Sequence, residues 1–559
     1  MNFDKLLDYA RIALYVGIAY VGFTLFQAWQ TEHTPPVAAP AVVAAAANTN
    51  SNIPSVAPPS VTTTESVATS NEVVVAPSVV GKRVSVTTDV MQVELDTLGG
   101  DVVESKLLAY PESLGSKSPF LLFNDSQKTR YLAESGLISK RGPETAAGQA
   151  LYTADQASYT LQPNQNELVV KLNWQKDGIN VVKTFTFERG SYEVKVGYEL
   201  DNQSSELWEG NLYTQLLRTD TPPPSTGGLM NLATYFGAAI STPDKPFEKV
   251  TFKQMQKAPL EMQVNDGWVA MIQHYFISAW VPPKTALSRY YTKTSDNGLY
   301  TIGMIGQDIK AIPGAKIATQ AKLYMGPAIA DNLEQTAPGL KLTIDYGWFW
   351  FISGIIFWMM QKIYDVIGNW GWSIIGVTII IKILFYKLSA KSYRSMSMLK
   401  KLQPRIEKLR ERFPNDKQKL TQATMDLYRT EKVNPMSGCL PILIQIPVFI
   451  ALYWVLVESV QLRQAPFILW IHDLSQRDPY YVLPVIMGIT MFLQQRLNPP
   501  PADPTQAKVM MLMPIVFTFM FANFPAGLLL YWCVNNSLSF LQQWYIMRKL
   551  NNESNVIPA

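Results

Sequence analysis

The order of apolar and polar residues divides the chain into three parts. Between about residues 83 and 325 they alternate, as in VSVTTDVMQVELDTLGG and NELVVKLNWQKDGINVVKTFTFERGSYEVKVGYEL, with breaks at Gly, Asp and Asn. Alternation with a period of two predicts strands with one buried face, and such breaks predict hairpins. So many strands in one segment predict a large, mostly antiparallel β-sandwich.

Long apolar runs predict membrane helices on both sides of this segment. The first, residues 12–29, is close to the ~20 residues that a spanning helix needs. A cleaved signal peptide is the alternative for this run, but it is long for a signal core, and the Ala-rich stretch begins well beyond its end. The later runs are 348–367, 372–388, 438–457, 481–497, 509–524 and 526–547.

Charge predicts the orientation of these helices. Twelve basic and five acidic side chains give residues 391–434 a net charge of +7, and Lys5 and Arg11 precede the first run. The positive-inside rule puts both stretches in the cytoplasm and the β-sandwich on the far side of the membrane. Only one crossing can then return the chain. We expect 372–388 to cross and the tryptophan-flanked 348–367 to be an interfacial helix. This gives six spans and a cytoplasmic C-terminus.

The predicted fold class is a multi-domain membrane protein, in which an N-terminal anchor and five core helices form an α-helical transmembrane bundle beside a large antiparallel β-domain. Residues 31–80 hold Pro, Ala, Val, Ser and Thr with few charges, a composition typical of a disordered tether. The predicted segments are the anchor (1–30), the tether (31–80), the β-sandwich domain (81–345), the interfacial helix with the first core transmembrane helix (346–390), a basic helical hairpin (391–434), four further core transmembrane helices (435–549) and a short tail (550–559).

Composition argues against several kinds of functional site. Charged residues make up 16% of the chain, below the ~25% usual for soluble domains. Cys439 and Cys533 both lie in apolar segments, which argues against a disulfide framework. The three histidines are scattered, so no His-based metal site is predicted, and the sequence holds no Walker A, HExxH or GxSxG motif. We expect no cofactor and no metal, and the common enzyme classes become less favoured.

Lys382 interrupts the apolar run TIIIKILFYKL. Helical spacing puts it on one face with Thr378 and Tyr386. A second polar stripe in the last run comprises Tyr531, Asn535, Ser539 and Gln542. Two polar faces in one bundle predict a polar concavity within the membrane. Alternatively, Lys382 snorkels, since only ~9 Å of helix separates it from Leu388. A charge at mid-membrane costs about 2.5–3.5 kcal/mol, which favours a function.

The basic stretch MLKKLQPRIEKLRERFPNDKQKLTQATMDLYRTEKVNP predicts two helices that are broken at Pro414 and Asn415. Apolar residues recur in it at helical spacing, which predicts an antiparallel hairpin on the membrane face. One interpretation is a solvated hairpin that only obeys the positive-inside rule. The other is a hairpin whose basic face binds RNA or acidic headgroups.

Three stretches carry a resemblance to a known family: NPMSGCLPILIQIPVFIALYWVL (434–456), QLRQAPFILWIHDLSQRDPYYVLPVIMG (461–488) and FPAGLLLYWCVNNSLSFLQQ (524–543). They resemble the YidC membrane protein insertases, a family shared with mitochondria and thylakoids. The resemblance covers the core from about 347 to 547. The anchor, tether and β-domain are similar to the Gram-negative form, whose periplasmic domain is a supersandwich of the sugar-mutarotase type.

The resemblance implies roles for individual residues. In this family the first core helix carries a cation that faces a hydrophilic groove, open to the cytoplasm and the lipid; many relatives have arginine where this chain has Lys382. Thr378, Tyr531 and Trp532 match groove positions that meet the substrate. Phe449 and Met487 match apolar positions on the lipid-facing side.

The resemblance also implies a function: an ATP-independent insertase and chaperone, not an enzyme, in the bacterial inner membrane. The implied partners are nascent membrane proteins, the Sec translocon with its accessory subunits, membrane lipids and the ribosome, but not DNA. The family's hairpin recruits the nascent chain and ribosome. Ribosome contact through the tail is in doubt, because RKLNNESNVIPA is short and is not basic after Lys549.

Two other functions stay open. In a solute transporter or channel, Lys382 would be an anion site; the hydropathy pattern, however, has no inverted repeat. The chain could also be a periplasmic carbohydrate enzyme on a membrane anchor, although a sandwich fold does not by itself supply a catalytic site.

Overall fold

The computed structural model describes Ile53, Pro54 and residues 80–555, with gaps at 127, 146–147, 223–233, 284–285, 296–297, 415, 432, 435–439 and 499–503. The predicted anchor (1–30) and nearly all of the predicted tether (31–80) lie outside the described residues. So do residues 556–559 of the predicted tail.

Nineteen strands occupy the described part of the first two thirds of the chain. They are β1 Arg83–Thr87, β2 Met91–Asp96, β3 Asp101–Pro111, β4 Pro119–Phe123, β5 Tyr131–Ile138, β6 Thr153–Ala154, β7 Ser158–Thr160, β8 Glu167–Lys176, β9 Ile179–Glu188, β10 Glu193–Asn202, β11 Trp208–Thr219, β12 Gly237–Ser241, β13 Glu248–Val250, β14 Glu261–Asn265, β15 Trp268–Gln273, β16 Phe276–Val281, β17 Leu287–Thr294, β18 Leu299–Ala311 and β19 Lys316–Pro327.

These strands form two sheets. Sheet 1 has the order β14-β17-β18-β11-β5-β3-β2-β1-β7, with β4 beside β3, and sheet 2 has the order β13-β12-β15-β16-β19-β10-β9-β8-β6. Neighbours pair antiparallel, apart from the parallel pair β1 and β7. The predicted large, mostly antiparallel β-sandwich is therefore confirmed.

Alternation of side chains explains how the sandwich core forms. Strand β9 buries every second residue, among them Val181 and Phe185, whereas the residues between them are partly exposed. Inward residues of both sheets, such as Val93 and Val196, belong to one continuous apolar cluster. Lys183 is also at an inward position of β9, and its ammonium group donates to the carbonyl oxygens of Gly99 and Ser135, at 3.0 and 2.7 Å. A buried lysine thus joins the two sheets.

Ten helices are described. They are α1 Phe252–Lys257, α2 Ala330–Thr336, α3 Trp350–Ile367, α4 Trp370–Leu384, α5 Tyr386–Arg412, α6 Lys417–Thr430, α7 Leu440–Glu458, α8 Val482–Leu497, α9 Pro504–Phe521 and α10 Ala526–Asn555. Short 3₁₀ turns lie at Leu340–Thr343, Gly347–Phe349 and Val460–Leu462.

Helices α3, α4, α7, α8, α9 and α10 share one apolar core. Within the described residues, no single helix is both long and apolar enough to cross a membrane, but α4 and α5 together meet that measure as a pair bent by 66°. Helix α3 buries Ser353, Ile356 and Met360 and exposes residues such as Trp358. Its place at the membrane interface stays a prediction.

The predicted crossing 372–388 is not one straight helix. It ends at Leu384, and α5 continues at 66° from Tyr386. Beyond the bend, α5 contacts α10: Gln542 donates to the carbonyl oxygen of Tyr386 at 3.3 Å, and Tyr393 packs against Ile546. The spacing of apolar residues within one segment cannot predict these contacts, because they involve a helix that is remote in sequence.

The β-domain is held against the helical core. The guanidinium group of Arg463, which follows α7, donates to the carbonyl oxygens of Pro111 and Glu112 at the end of β3, at 2.7 and 3.0 Å. His274 Nε2 lies 2.8 Å from the carbonyl oxygen of Val457. Polar contacts to the main chain therefore bind the two parts together.

Candidate functional site

Lys382 lies in the last turn of α4 and reaches towards α10. Its Nζ donates to Ser539 Oγ at 2.6 Å, and this hydroxyl donates in turn to the carbonyl oxygen of Asn535 at 2.7 Å. Ser539 and Asn535 are buried, and Lys382 is partly buried. One residue of each polar stripe is therefore in contact with the other, and the role of this contact stays a prediction.

A small cavity of about 30 Å³ lies beside the ammonium group. It is lined by Ile381, Lys382, Phe385, Leu388, Ser389, Ile444, Gln445, Val448, Tyr531 and Asn535. Lys382 is its one charged lining residue among those described, because all the others are neutral. An anionic group that entered this cavity would meet a cation with no competing carboxylate in the lining.

A larger cavity of about 510 Å³ adjoins the first. The two share Gln445, Tyr531 and Asn535, and Gln445 Nε2 lies 3.5 Å from the hydroxyl of Tyr531. The further lining residues are mostly uncharged polar or apolar: Ile446, Phe449, Met491, Gln494, Gln495, Asn498, Met510, Met513, Pro514, Phe517, Trp532, Asn536 and Ser539. Amide side chains can accept and donate hydrogen bonds, so this lining suits an extended polypeptide.

Aromatic rings form one wall of the larger cavity. Phe449 meets Trp532 edge to face, with centroids 4.7 Å apart and an interplanar angle of 76°. Trp532 also contacts Phe521, at 4.7 Å between centroids. Such contacts fix the ring positions and give the cavity an apolar side opposite its amides.

Two predicted site residues lie elsewhere. Thr378 is buried and donates to the carbonyl oxygen of Ile374 in its own helix at 2.6 Å, and it lines neither cavity. Met487 is 0% exposed within the helical core and also lines neither cavity. Neighbouring helices cover Met487 in this structure, and its role on the lipid-facing side of the groove stays a prediction.

Sequence analysis missed several amides of the lining. Gln445 is a single polar residue inside the apolar stretch PILIQIPVF, and that isolation was an available signal. Three further amides lie near the end of α8: Gln494, Gln495 and Asn498. Their sequence pattern is that of surface residues, and only the packing of α9 and α10 makes them part of the cavity lining. In contrast, Gln542 belongs to the predicted polar stripe but lines neither cavity. It donates a hydrogen bond to the main chain of α5.

The basic hairpin begins inside α5 and continues through α6, with the break between Arg412 and Lys417. Leu399, Leu402 and Val433 form a small buried cluster at its base. Arg405 and Glu431 form an ion pair near the same end. Most of its other cations are exposed, and the described residues contain no group of three or more His, Cys, Asp or Glu that could hold a metal ion.

Comparison with known proteins identifies the class of the molecule. The model of the YidC periplasmic domain matches residues 83–359, and the model of the 60Kd inner membrane protein matches residues 362–553. The β-sandwich and the helical core are thus the two parts of an inner-membrane protein with a periplasmic domain. The chain belongs to the YidC family.

Two relatives at 50% and 48% identity agree with this assignment. The chain is 50% identical over 468 residues to the membrane protein insertase YidC of Pseudomonas entomophila strain L48, which covers 84% of this chain and 83% of the relative. It is 48% identical over 551 residues to the membrane protein insertase YidC of Legionella pneumophila strain Corby, with 98% of both chains covered. A solved structure of an active YidC insertase superposes with a TM-score of 0.38 and 18% identity, over 83% of this chain and 95% of that one.

Proposed function

We propose that this chain inserts newly made proteins into the bacterial inner membrane. The name carried by relatives at 50% and 48% identity supports this activity. The observation that carries the mechanism is the contact of Lys382 with Ser539, at the wall of a cavity whose other lining residues are neutral. The substrates are nascent membrane proteins whose short hydrophilic ends have to cross.

The two cavities give the substrate a path with two kinds of surface. The amide-lined cavity of about 510 Å³ offers hydrogen bonds to a polar segment within the helical bundle. Lys382 attracts acidic residues of that segment, and Ser539 holds the ammonium group towards it. A polar path of this kind shortens the apolar distance that the translocated end has to cross.

Release needs no nucleotide in this mechanism. The apolar segment of the substrate leaves sideways into lipid, and removal of its surface from water is favourable by ~25 cal/mol per Å². The chain thus acts as an ATP-independent insertase and chaperone and not as an enzyme. It requires no cofactor.

The hairpin of α5 and α6 supplies the capture step in this proposal. Its cations are mostly exposed, and its first helix, α5, begins at Tyr386, two residues after the end of the helix that carries Lys382. Nascent chains, acidic lipid headgroups and the ribosome are its expected partners, and the Sec translocon is the expected partner of the core. Both termini are cytoplasmic in this topology, and the β-domain is periplasmic.

The test is a matrix of variants and substrates. Wild type, Lys382→Arg and Lys382→Leu are each combined with one single-span substrate whose translocated end is acidic, neutral or basic, and insertion is measured by protease protection. Lys382→Arg should keep activity because charge is preserved. Lys382→Leu should slow insertion of the acidic substrate by roughly tenfold, the equivalent of about 1.4 kcal/mol, and the other two by less.

The outcomes separate the alternatives. Equal impairment of all three substrates contradicts the electrostatic role, and Lys382 then serves to hydrate the cavity. No impairment of any substrate means that Lys382 only snorkels. Solute flux into sealed vesicles, abolished by Lys382→Leu, would favour the transporter or channel.

A further inference from the structure

Ile53 is remote in sequence from every predicted strand and helix, but it packs on the β-domain. It lies against a small cluster of Ile138, Tyr213 and Ile305, together with Tyr291. The next residue, Pro54, is buried. One point of the predicted tether is thus in contact with sheet 1.

The contact is on the face of sheet 1 that turns away from the sandwich core. Ile305 pairs directly with Tyr213 across β18 and β11, whereas its neighbour Met304 points into the core between the sheets. Ile138 likewise follows the core residue Leu137. Because successive side chains of a strand point to opposite faces, the Ile53 cluster is on the outer face.

That outer face has the features of a binding groove. Ile305 also lines a cavity of about 430 Å³, whose walls include Asn211, Arg289 and Asp308. Tyr213 is 0% exposed although it points away from the sandwich core. The cluster under Ile53 is therefore an apolar pocket beside a cavity with polar walls, an arrangement typical of a site that takes an apolar side chain of its ligand.

The sequence of the tether singles out the same residue. Residues 31–82 contain one isoleucine, Ile53, and no Leu, Met, Phe, Tyr or Trp. The remainder is mainly Ala, Val, Pro, Ser, Thr and Asn. Pro54 holds its own φ near −65° and biases Ile53 towards an extended backbone, which reduces the entropy lost when the segment docks. The one apolar side chain of the tether that is larger than valine, proline or alanine is thus the one that contacts the β-domain.

We propose that the outer face of sheet 1 is a groove for an extended peptide with an apolar anchor residue, and that Ile53–Pro54 of the tether is its ligand within the same chain. About 30 residues separate this anchor from β1, so the effective concentration of the tether at the groove is of the order of mM, enough for a weak contact to be occupied. This docking is independent of insertase activity.

Crosslinking in the full-length protein tests the contact. A benzophenone-bearing amino acid at position 53 should form adducts with β5, β11, β17 and β18, mapped by mass spectrometry. The matched controls carry the same amino acid at Ala45 and Val61 in the tether. An adduct pattern at position 53 that is the same as at the controls overturns the proposal.

Competition and proteolysis test the groove itself. The peptide NSNIPSV, which reproduces residues 50–56, should reduce the crosslinking of position 53 at millimolar concentration, whereas the same peptide with Asp in place of Ile should not. Ile53→Asp should raise the rate of protease cleavage around residue 53 by at least tenfold, and Ile53→Leu should leave it within twofold. Equal competition by the two peptides, or equal cleavage of wild type and Ile53→Asp, contradicts the proposal. Because Ile53 lies outside every strand and helix, both variants should keep the unfolding temperature of the β-domain.

Discussion

Lys382 Nζ donates a 2.6 Å hydrogen bond to Ser539 Oγ, across 157 residues of sequence. The hydroxyl proton of Ser539 is already engaged by the carbonyl oxygen of Asn535, at 2.7 Å, so Oγ is free to accept. Helix α10 thereby sets the position of the cation of α4. The contact joins the two polar stripes at the wall of the cavities.

This relationship predicts an effect of Ser539→Ala that is smaller than that of Lys382→Leu. The charge stays, but its position is no longer held. A typical hydrogen bond is worth about 0.5–1.5 kcal/mol, so insertion of an acidic-ended substrate should fall by roughly threefold. The measurement is the protease-protection assay, with Ser537→Ala as the matched control, because Ser537 is on the same helix and lines neither cavity. Equal effects of the two serine variants would contradict the prediction.

Removal of the hairpin should impair capture of substrate and leave topology intact. Residues 399–430 are replaced by a short Gly/Ser link, which keeps Lys391 and Arg394 beside the membrane. Leu399 and Val433 belong to one buried cluster, so the two ends of the excised segment are close and a short link can join them. Insertion should slow for all substrates alike, because the step precedes entry to the cavities.

Topology and insertion are measured in the same cells. Normal topology with unchanged insertion would mean that the hairpin is only a solvated surface. A matched variant with a Gly/Ser link of the same length inserted at Asn415, and no deletion, controls for the link itself.

Arg463 should hold the β-domain to the helical core. Its guanidinium group donates to Pro111 and Glu112 and lies over the rings of Phe120 and Phe276, at 5.6 and 5.7 Å from their centroids. Arg463→Ala removes charge-assisted hydrogen bonds of about 1.5–3 kcal/mol, so amide hydrogen exchange at the end of β3 and in β4 should become at least tenfold faster.

The matched control for this variant is Arg477→Ala. Arg477 belongs to the same connection between α7 and α8, and its guanidinium group lies 3.4 Å from the side-chain oxygen of Asn523, ahead of α10. If both variants exchange at the wild-type rate in β3 and β4, Arg463 does not hold the interface.

The stability of the β-domain should depend on pH through Glu144. Burial raises the pKa of this carboxyl group to about 7, against the opposing effects of Lys183, the Leu137 amide and the Tyr152 hydroxyl. The folded state then binds a proton more tightly than the unfolded state does. The contribution of Glu144 to the free energy of unfolding should therefore be highest below about pH 4.5 and should fall by roughly 3 kcal/mol as the pH rises to about 7.

Glu144→Gln isolates this contribution. A neutral side chain of the same shape should remove the loss of stability between pH 5 and pH 7, as measured by thermal unfolding of the full-length protein. Glu167→Gln, at an exposed position of β8, is the matched control. A difference between wild type and Glu144→Gln that stays constant across this range would show that Glu144 does not titrate there.

Local patterns in the sequence were sufficient to predict most strands and helices. Alternation in INVVKTFTFE determined which side chains of β9 face the core, because side-chain direction in a strand depends only on position along it. Long apolar runs predicted the positions of α7 to α10. Pro414 predicted the break between α5 and α6. The apolar and polar stripes also determined that Lys382 and Ser539 would lie on polar faces, since helical spacing is a local property.

Only the tertiary structure decided which of these faces meet. The contact of Gln542 with Tyr386, the burial of Met487 and the contact of Arg463 with Pro111 each depend on segments that are remote in sequence. The alternation of β9 put Lys183 inside, but the carbonyl oxygens that accept its hydrogen bonds come from sheet 1. Periodicity specifies the direction of a side chain relative to its own backbone; its partners follow from how distant elements pack, and that is a property of the whole chain.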